Sequence, residues 1–197
     1  RLTKLVNELL DIDKIEAGQV TLKQERIDLN ALAAQAVDYN RPYADRFGVR
    51  LALDAAEEPL FVTGDPDRLL QVVTNLLSNA VKHSPQGDVV TVGTRLGNGV
   101  ARVSVADHGP GIPEQFRARI FQRFAQADAS DRKAPEGTGL GLAISRAIID
   151  RYGGRIGFDS AVGAGSTFWF ELPAPEARQA LPAGLGFRIL VCEANPQ

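Results

Sequence analysis

Asp67-Arg68-Leu69-Leu70-Gln71-Val72-Val73-Thr74-Asn75-Leu76-Leu77-Ser78-Asn79-Ala80-Val81-Lys82-His83 has the spacing of an amphipathic helix. Leu69, Val72, Val73, Leu76 and Leu77 recur three and four apart and form one apolar face. Asp65-Pro66-Asp67 opens the helix. Pro66 suits a first helical turn, and both carboxylates favour its positive end. Asn75 and Asn79 stand one turn apart, and Lys82 and His83 follow within another turn, so all four can share a side. Asparagine is a mediocre helix former, so two in register ask for a reason. Carboxamide oxygens suit Mg²⁺, which takes oxygen ligands beside waters and phosphates. Lys82 can meet a phosphate as a point charge. A merely polar helix face accounts for the same four residues equally well at this stage.

Three glycine turns lie downstream. Asp107-His108-Gly109-Pro110-Gly111-Ile112-Pro113 follows an apolar strand at residues 100–106. A carboxylate at a strand end only accepts hydrogen bonds, which suits an exocyclic amino group, and the glycines admit a flat base. An ordinary Asp/Gly turn is the plainer alternative. Gly137-Thr138-Gly139-Leu140-Gly141-Leu142 lies between an irregular polar segment and a helix. Backbone N–H groups at a helix start, aligned with its dipole, make an anion site, whereas a hinge needs no ligand. Gly163-Ala164-Gly165-Ser166-Thr167-Phe168 offers the Thr167 hydroxyl at a strand start, or is simply a hairpin turn. No strand leads into the middle turn, and its G-x-G-x-G spacing is not a dinucleotide fingerprint. G-x-x-x-x-G-K-[ST] and the H-R-D and D-F-G pair are absent from the chain.

Around these turns the pattern is α+β. Residues 1–17 read as the end of an amphipathic helix, with Leu2, Leu5, Leu9 and Ile12 in register, Val6 and Ile15 widening the stripe, and Gly18 as its stop. That helix packs either on its own domain or against a partner helix. A strand at 24–27 precedes an Asp28-capped helix to about Phe47. Residues 49–53 alternate as a strand. Residues 89–96 and 100–106 form a hairpin around Gly97-Asn98-Gly99, and 155–159 with 167–172 form a second after the helix at 140–152. Strands pairing with near neighbours and early helices predict a two-layer sandwich, a mixed sheet with helices on one face. Residues 174–186 are rich in Pro, Ala and Gly and read as a linker.

Composition bounds the function. A chain of 197 residues with 44% hydrophobic content can bury a core, and no apolar run approaches the roughly 20 residues that cross a bilayer. A net charge of -2 gives no general attraction to nucleic acid. The single cysteine, Cys192, excludes an internal disulfide framework and fits a reducing, cytoplasmic compartment, although a parent protein can still be membrane-anchored. The absence of methionine fits a piece of a longer protein.

In this order, the motifs resemble the ATP-binding catalytic domain of sensor histidine kinases, in the superfamily shared with gyrase, Hsp90 and MutL. Residues 75–82 resemble its N box; Asp107, Gly109 and Gly111 its G1 box; Phe121 and Phe124 its F box; Gly137, Gly139 and Gly141 its G2 box; and 163–167 its G3 box. The resemblance covers about residues 25–173. It implies a Bergerat-type ATP-binding fold over 21–173. Residues 1–20 would be the tail of a second dimerisation helix. The run Phe187-Arg188-Ile189-Leu190-Val191-Cys192-Glu193-Ala194 would begin a receiver domain, as in a hybrid kinase. Ala194 stands where receivers carry a second acidic residue, which puts that metal site in doubt.

The resemblance also implies roles. Asp107 would fix adenine, with Thr167 nearby. Gly109, Gly111, Ile112, Phe124, Gly137, Thr138, Gly139, Leu140, Gly141 and Leu142 would line the ATP site. Asn79 would be the principal Mg²⁺ ligand, supported by Asn75. Lys82, His83 and Arg123 would face phosphates, and residues 126–136 would form a lid. The superfamily ATPases carry glutamate at the position of Asn75 as base toward water. Asparagine takes no proton, which predicts transfer to a protein group rather than hydrolysis. Neither His83 nor His108 lies in a dimerisation helix, so the acceptor histidine is expected outside this chain. Partners so implied are the parent's own dimerisation helices, in a homodimer, and a response-regulator receiver. A degenerate regulatory module and a superfamily ATPase are the alternatives.

Overall fold

A computed structural model describes residues 6, 9–10, 12–15, 17, 23–125 and 138–174. In chain order the elements are β1 (Glu25–Asp28), α1 (Leu29–Phe47), β2 (Arg50–Asp54), β3 (Phe61–Gly64), α2 (Pro66–His83), β4 (Val89–Gly97), β5 (Val100–Asp107), the single turn α3 (Glu114–Arg117), α4 (Gly141–Arg151), β6 (Arg155–Ala161) and β7 (Gly165–Pro173). The expected linker at 174–186, Cys192 and the expected receiver strand lie outside the described residues apart from Ala174.

Five strands form one sheet in the order β2-β4-β5-β7-β6, with β2 parallel to β4 and the rest antiparallel. It is the mixed sheet the pattern predicts. A separate antiparallel pair, β1 with β3, was not expected as a sheet, because β3 has only four residues and no readable period. Along β5 the burial alternates. Ala101, Val103, Val105 and Asp107 are buried and stand opposite Leu172, Phe170, Phe168 and Ser166 on β7. That face meets α2 and α4, and α1 packs on α2.

Local chemistry explains the helices. The Asp28 carboxylate accepts the Asn30 N–H at 3.0 Å and caps α1. The Asp65 carboxylate accepts the Asp67 and Arg68 N–H groups at 3.0 and 3.2 Å and caps α2, with Pro66 in the first turn. Leu69, Val72, Val73, Leu76 and Leu77 are wholly buried, each worth about 1.5–3 kcal/mol relative to exposure. This one-sided burial turns Asn75 and Asn79 away from the centre of the core.

The opposite sheet face is held by charge. Glu171, its side chain 8% exposed, accepts hydrogen bonds from Arg102 on β5 and Arg155 on β6. Arg102 also lies over the Trp169 ring at 4.3 Å. The Arg102 hydrogen bond, reinforced by Arg155 and opposed by burial, lowers the Glu171 pKa below 4.5. A carboxylate depressed on folding contributes stability above its unfolded pKa and loses it as pH falls through the folded value. We expect Glu171→Gln to flatten the acid limb of the melting-temperature profile below pH 4.5, read by circular dichroism.

Candidate nucleotide site

The sheet delivers Asp107 to the end of β5, where the residue is 7% exposed. Its Oδ1 accepts the Gly109 N–H at 2.8 Å, and the Ser166 N–H also donates to the carboxylate. Burial raises the Asp107 pKa, and these two N–H groups and the imidazoles of His83 and His108 pull it partly back. Gly109 stands against the His83 carbonyl, leaving no room for a side chain. The first glycine turn therefore lies on the C-terminal end of α2.

This turn also locks into the β6–β7 turn. Gly111 has φ +73°, and a Cβ there would meet the Ala161 carbonyl at 2.1 Å. Gly165 has φ +89°, and its Cβ would meet the Asp107 carbonyl at 2.1 Å. The Gly163 N–H donates to the Pro110 carbonyl at 2.8 Å. The two turns form one unit with Asp107 at its centre.

On α2, Asn75 joins a second contact. Its Nδ2 donates to the Gly141 carbonyl at 3.2 Å and faces the Ser145 hydroxyl at 3.4 Å. The amide end thus clamps α2 to the first turn of α4, leaving Oδ1 as the group Asn75 can offer a cation. Asn79, one turn on, is half-buried, and its carboxamide has no hydrogen-bond partner among the described residues. An open carboxamide at that place has the right chemistry for a hard cation. Lys82 follows in the next turn, half-buried. His83 is exposed as a residue, yet protein atoms crowd its ring. That desolvation, then the Lys82 charge, lowers its pKa, with Asp107 pulling the other way. The neutral imidazole is thereby favoured at this place.

The middle glycine turn packs on the phenylalanine segment. The Phe124 N–H donates to the Gly139 carbonyl at 3.0 Å, and Thr138 Oγ1 accepts the Leu140 N–H at 3.3 Å. Phe124 has φ 60° and is 53% exposed. Phe121 instead packs on Phe158 and Phe168, with ring centroids 6.1 and 6.5 Å away. Leu142 is half-buried against the core. Gly137 and the expected lid at 126–136 lie outside the described residues.

The fold adds detail at four expected site residues. Leu140 is wholly buried and is a core residue. Ile112 is 8% exposed, and its N–H is held by Ser160 at 2.9 Å. Thr167 pairs with Ala106, so it occupies the sheet face opposite Asp107, while Ser166 shares the Asp107 face. Arg123 also donates to the Asp13 carboxylate at 2.8 Å. Ser166 was not named from sequence because telling which of two adjacent hydroxyls shares the Asp107 face requires the cross-strand register, which the turn sequence alone does not supply.

Asp13 belongs to the helical residues at 12–15. Ile12 and Ile15 are 0% and 2% exposed and join the domain core, whereas Val6 and Leu10 remain 46% and 48% exposed. The lower end of the segment packs on its own domain, and Val6 and Leu10 remain apolar and open. Both carriers of the Asp13–Arg123 pair are part-exposed, at 55% and 35%. We expect Asp13→Ala to cost less than about 1 kcal/mol, with the difference shrinking at high salt, in urea titrations.

A two-layer sandwich with three glycine turns meeting an asparagine-bearing helix defines a nucleotide-binding ATPase fold. Residues 64–176 match the family described as histidine kinase-, DNA gyrase B- and HSP90-like ATPase, and the chain belongs to it. It is 40% identical over 183 residues to the sensor protein GacS of Pseudomonas syringae pv. syringae, covering 90% of this chain and 20% of that protein. It is 38% identical over 176 residues to the signal transduction histidine-protein kinase BarA of Escherichia coli K12, covering 87% and 19%. The chain thus spans about a fifth of these relatives. Among solved structures, full-length ShkA in complex with AMPPNP matches with TM-score 0.77 at 33% identity, covering 88% of this chain and 36% of that one. The catalytic domain of histidine kinase ThkA matches with TM-score 0.65 at 28% identity, covering 78% and 96%. The chain is therefore an ATP-binding catalytic domain of the sensor histidine kinase type. Among the described residues, no helix is long and apolar enough to cross a membrane.

Proposed function

We propose that this domain holds ATP with Mg²⁺ and presents the γ-phosphoryl to a histidine carried on a dimerisation helix outside residues 1–197. The observation that carries the reading is the buried Asp107 acceptor, oriented by Gly109 and Ser166, with the open Asn79 carboxamide on the helix that the same turn abuts. Asp107 takes the adenine amino group and Ser166 stands beside it. Asn79 holds Mg²⁺ with the Asn75 oxygen in support; bound there, the ion would neutralise charge on the phosphates. Lys82 meets the phosphates as a cation. The first turn of α4, clamped by Asn75, supplies backbone N–H groups to the same anion.

Asn75 bears on the choice between transfer and hydrolysis. A carboxamide takes no proton from water, and its nitrogen is already committed to Gly141 and Ser145. Neither histidine of the chain suits the acceptor role. His83 lies at the end of α2, and His108 sits in the Asp107 turn, 3.2 Å from the Asp88 carboxylate. The similar proteins named sensor or histidine kinases, and the neighbour bound to AMPPNP, favour this reading over a regulatory module. A cytoplasmic location, a homodimeric parent, and a receiver partner, continuous with the chain from residue 187, belong to the same proposal. Calorimetric titration with ATP, with and without Mg²⁺, tests the binding step. Saturable binding strengthened by Mg²⁺ is expected, and no heat at millimolar ATP would overturn it.

A further inference from the structure

Ser160, on β6, takes no part in the roles above, yet three polar groups of the site converge on its hydroxyl. Its Oγ accepts the Ile112 N–H at 2.9 Å, lies 3.0 Å from the Gly165 carbonyl and lies 3.0 Å from Ser166 Oγ. The Ser160 carbonyl also accepts from Arg117 of α3. Both glycine turns that frame Asp107 therefore hang on one side chain.

Counting protons assigns the directions. A serine hydroxyl has one proton and two lone pairs. The Gly165 carbonyl can only accept, so the Ser160 proton goes there. The Ile112 N–H fills one Ser160 lone pair, and the other receives the Ser166 proton. Ser166 then has no proton left for a ligand and presents lone pairs alone. It stands on the Asp107 face, opposite Asp107 in the ladder.

We infer that Ser160 is a positioning and specificity-determining residue: by taking the Ser166 proton it makes Ser166 a second acceptor beside Asp107, so that the site selects a base offering an amino group over one offering a carbonyl. The inference rests on the ATP reading of the site and sharpens it. Adenine presents an exocyclic amino donor where guanine presents O6, an acceptor. Two acceptors in one buried place reject that oxygen more strongly than one. Without Ser160 Oγ the Ser166 hydroxyl can rotate and donate to O6.

The test compares ATP and GTP affinities by calorimetry on the whole chain, for the native protein, Ser160→Ala, Ser160→Thr and Ser166→Ala. Ser160→Ala is expected to lower the ratio of ATP to GTP affinity about tenfold, and Ser160→Thr, which keeps the hydroxyl, to restore it. A merely structural role would weaken both nucleotides together and leave the ratio unchanged, and that result overturns the inference. If Ser160→Ala does not fold, Ser166→Ala carries the test: an unchanged ratio there also overturns it. Asp107→Asn serves as the separate control. Should it leave ATP binding intact, the ATP reading of the site fails; should it abolish binding while Ser160→Ala keeps the native ratio, only the Ser160 inference fails.

Discussion

Asp107→Asn is expected to weaken ATP binding about a hundredfold while leaving the fold intact. The native carboxylate accepts from Gly109 and Ser166 and still has lone pairs for a ligand. Asparagine must turn its NH₂ either against one of these backbone donors or against the incoming amino group. One charge-assisted hydrogen bond is lost and a donor faces a donor, together about 3 kcal/mol, which is about a hundredfold in Kd. Burial raises the Asp107 pKa, so the ionised form is the uncomfortable one in the folded protein. Its neutral replacement should therefore leave the melting temperature of the nucleotide-free protein unchanged or slightly higher. The same shift gives a pH dependence. A group whose folded pKa is raised stabilises the fold at low pH and loses that contribution as pH rises through the folded value. ATP binding runs the other way, gaining strength as Asp107 ionises.

Gly165→Ala should do the opposite, damaging the fold first. At φ +89° a Cβ is strained, and here it would also meet the Asp107 carbonyl at 2.1 Å. Strain and overpacking together cost about 3 kcal/mol or more, a fall of about 10 °C in melting temperature for a domain of this size. Gly163→Ala is the matched comparison. Its φ is +80°, but a Cβ there meets nothing within 4 Å. It should carry only the cost of the left-handed backbone, about 1–2 kcal/mol. The difference between the two variants isolates the packing of the β6–β7 turn on Asp107. Equal losses would mean that the two turns are not locked together.

Most of the architecture was legible because its signals are periodic. The α1 helix runs from Leu29 to Phe47, as the Asp28 cap and Gly48 stop dictate, and α2 keeps its apolar stripe from Leu69 to Leu77. Strand ends shifted by a residue or more, and β3 was not legible, since four residues between polar segments carry no period. The site divided along similar lines. Asp107 and the glycines could be singled out as candidates because their chemistry depends on local backbone. Which of Ser166 and Thr167 shares the Asp107 face could not be read, because it depends on which residue of β7 meets Asp107 across the ladder. Arg123 is expected to face phosphate, and the fold adds a contact with Asp13, 110 positions away, that no local pattern signals. Ser145 and Ser160 were invisible for the same reason: each acts on a carbonyl or hydroxyl that only the fold brings near.

The central claim is that this domain holds ATP for transfer to a histidine that it does not itself contain. It is tested most directly by incubating the 197-residue chain with γ-labelled ATP and Mg²⁺, alone and with the parent's dimerisation helices supplied as a separate polypeptide. The account predicts no label on the chain alone, little phosphate release, and acid-labile, alkali-stable label on the added helices that is lost in Asp107→Asn. Stable label on His83 or His108 of the chain alone, or steady phosphate release with no label on the helices, would contradict it.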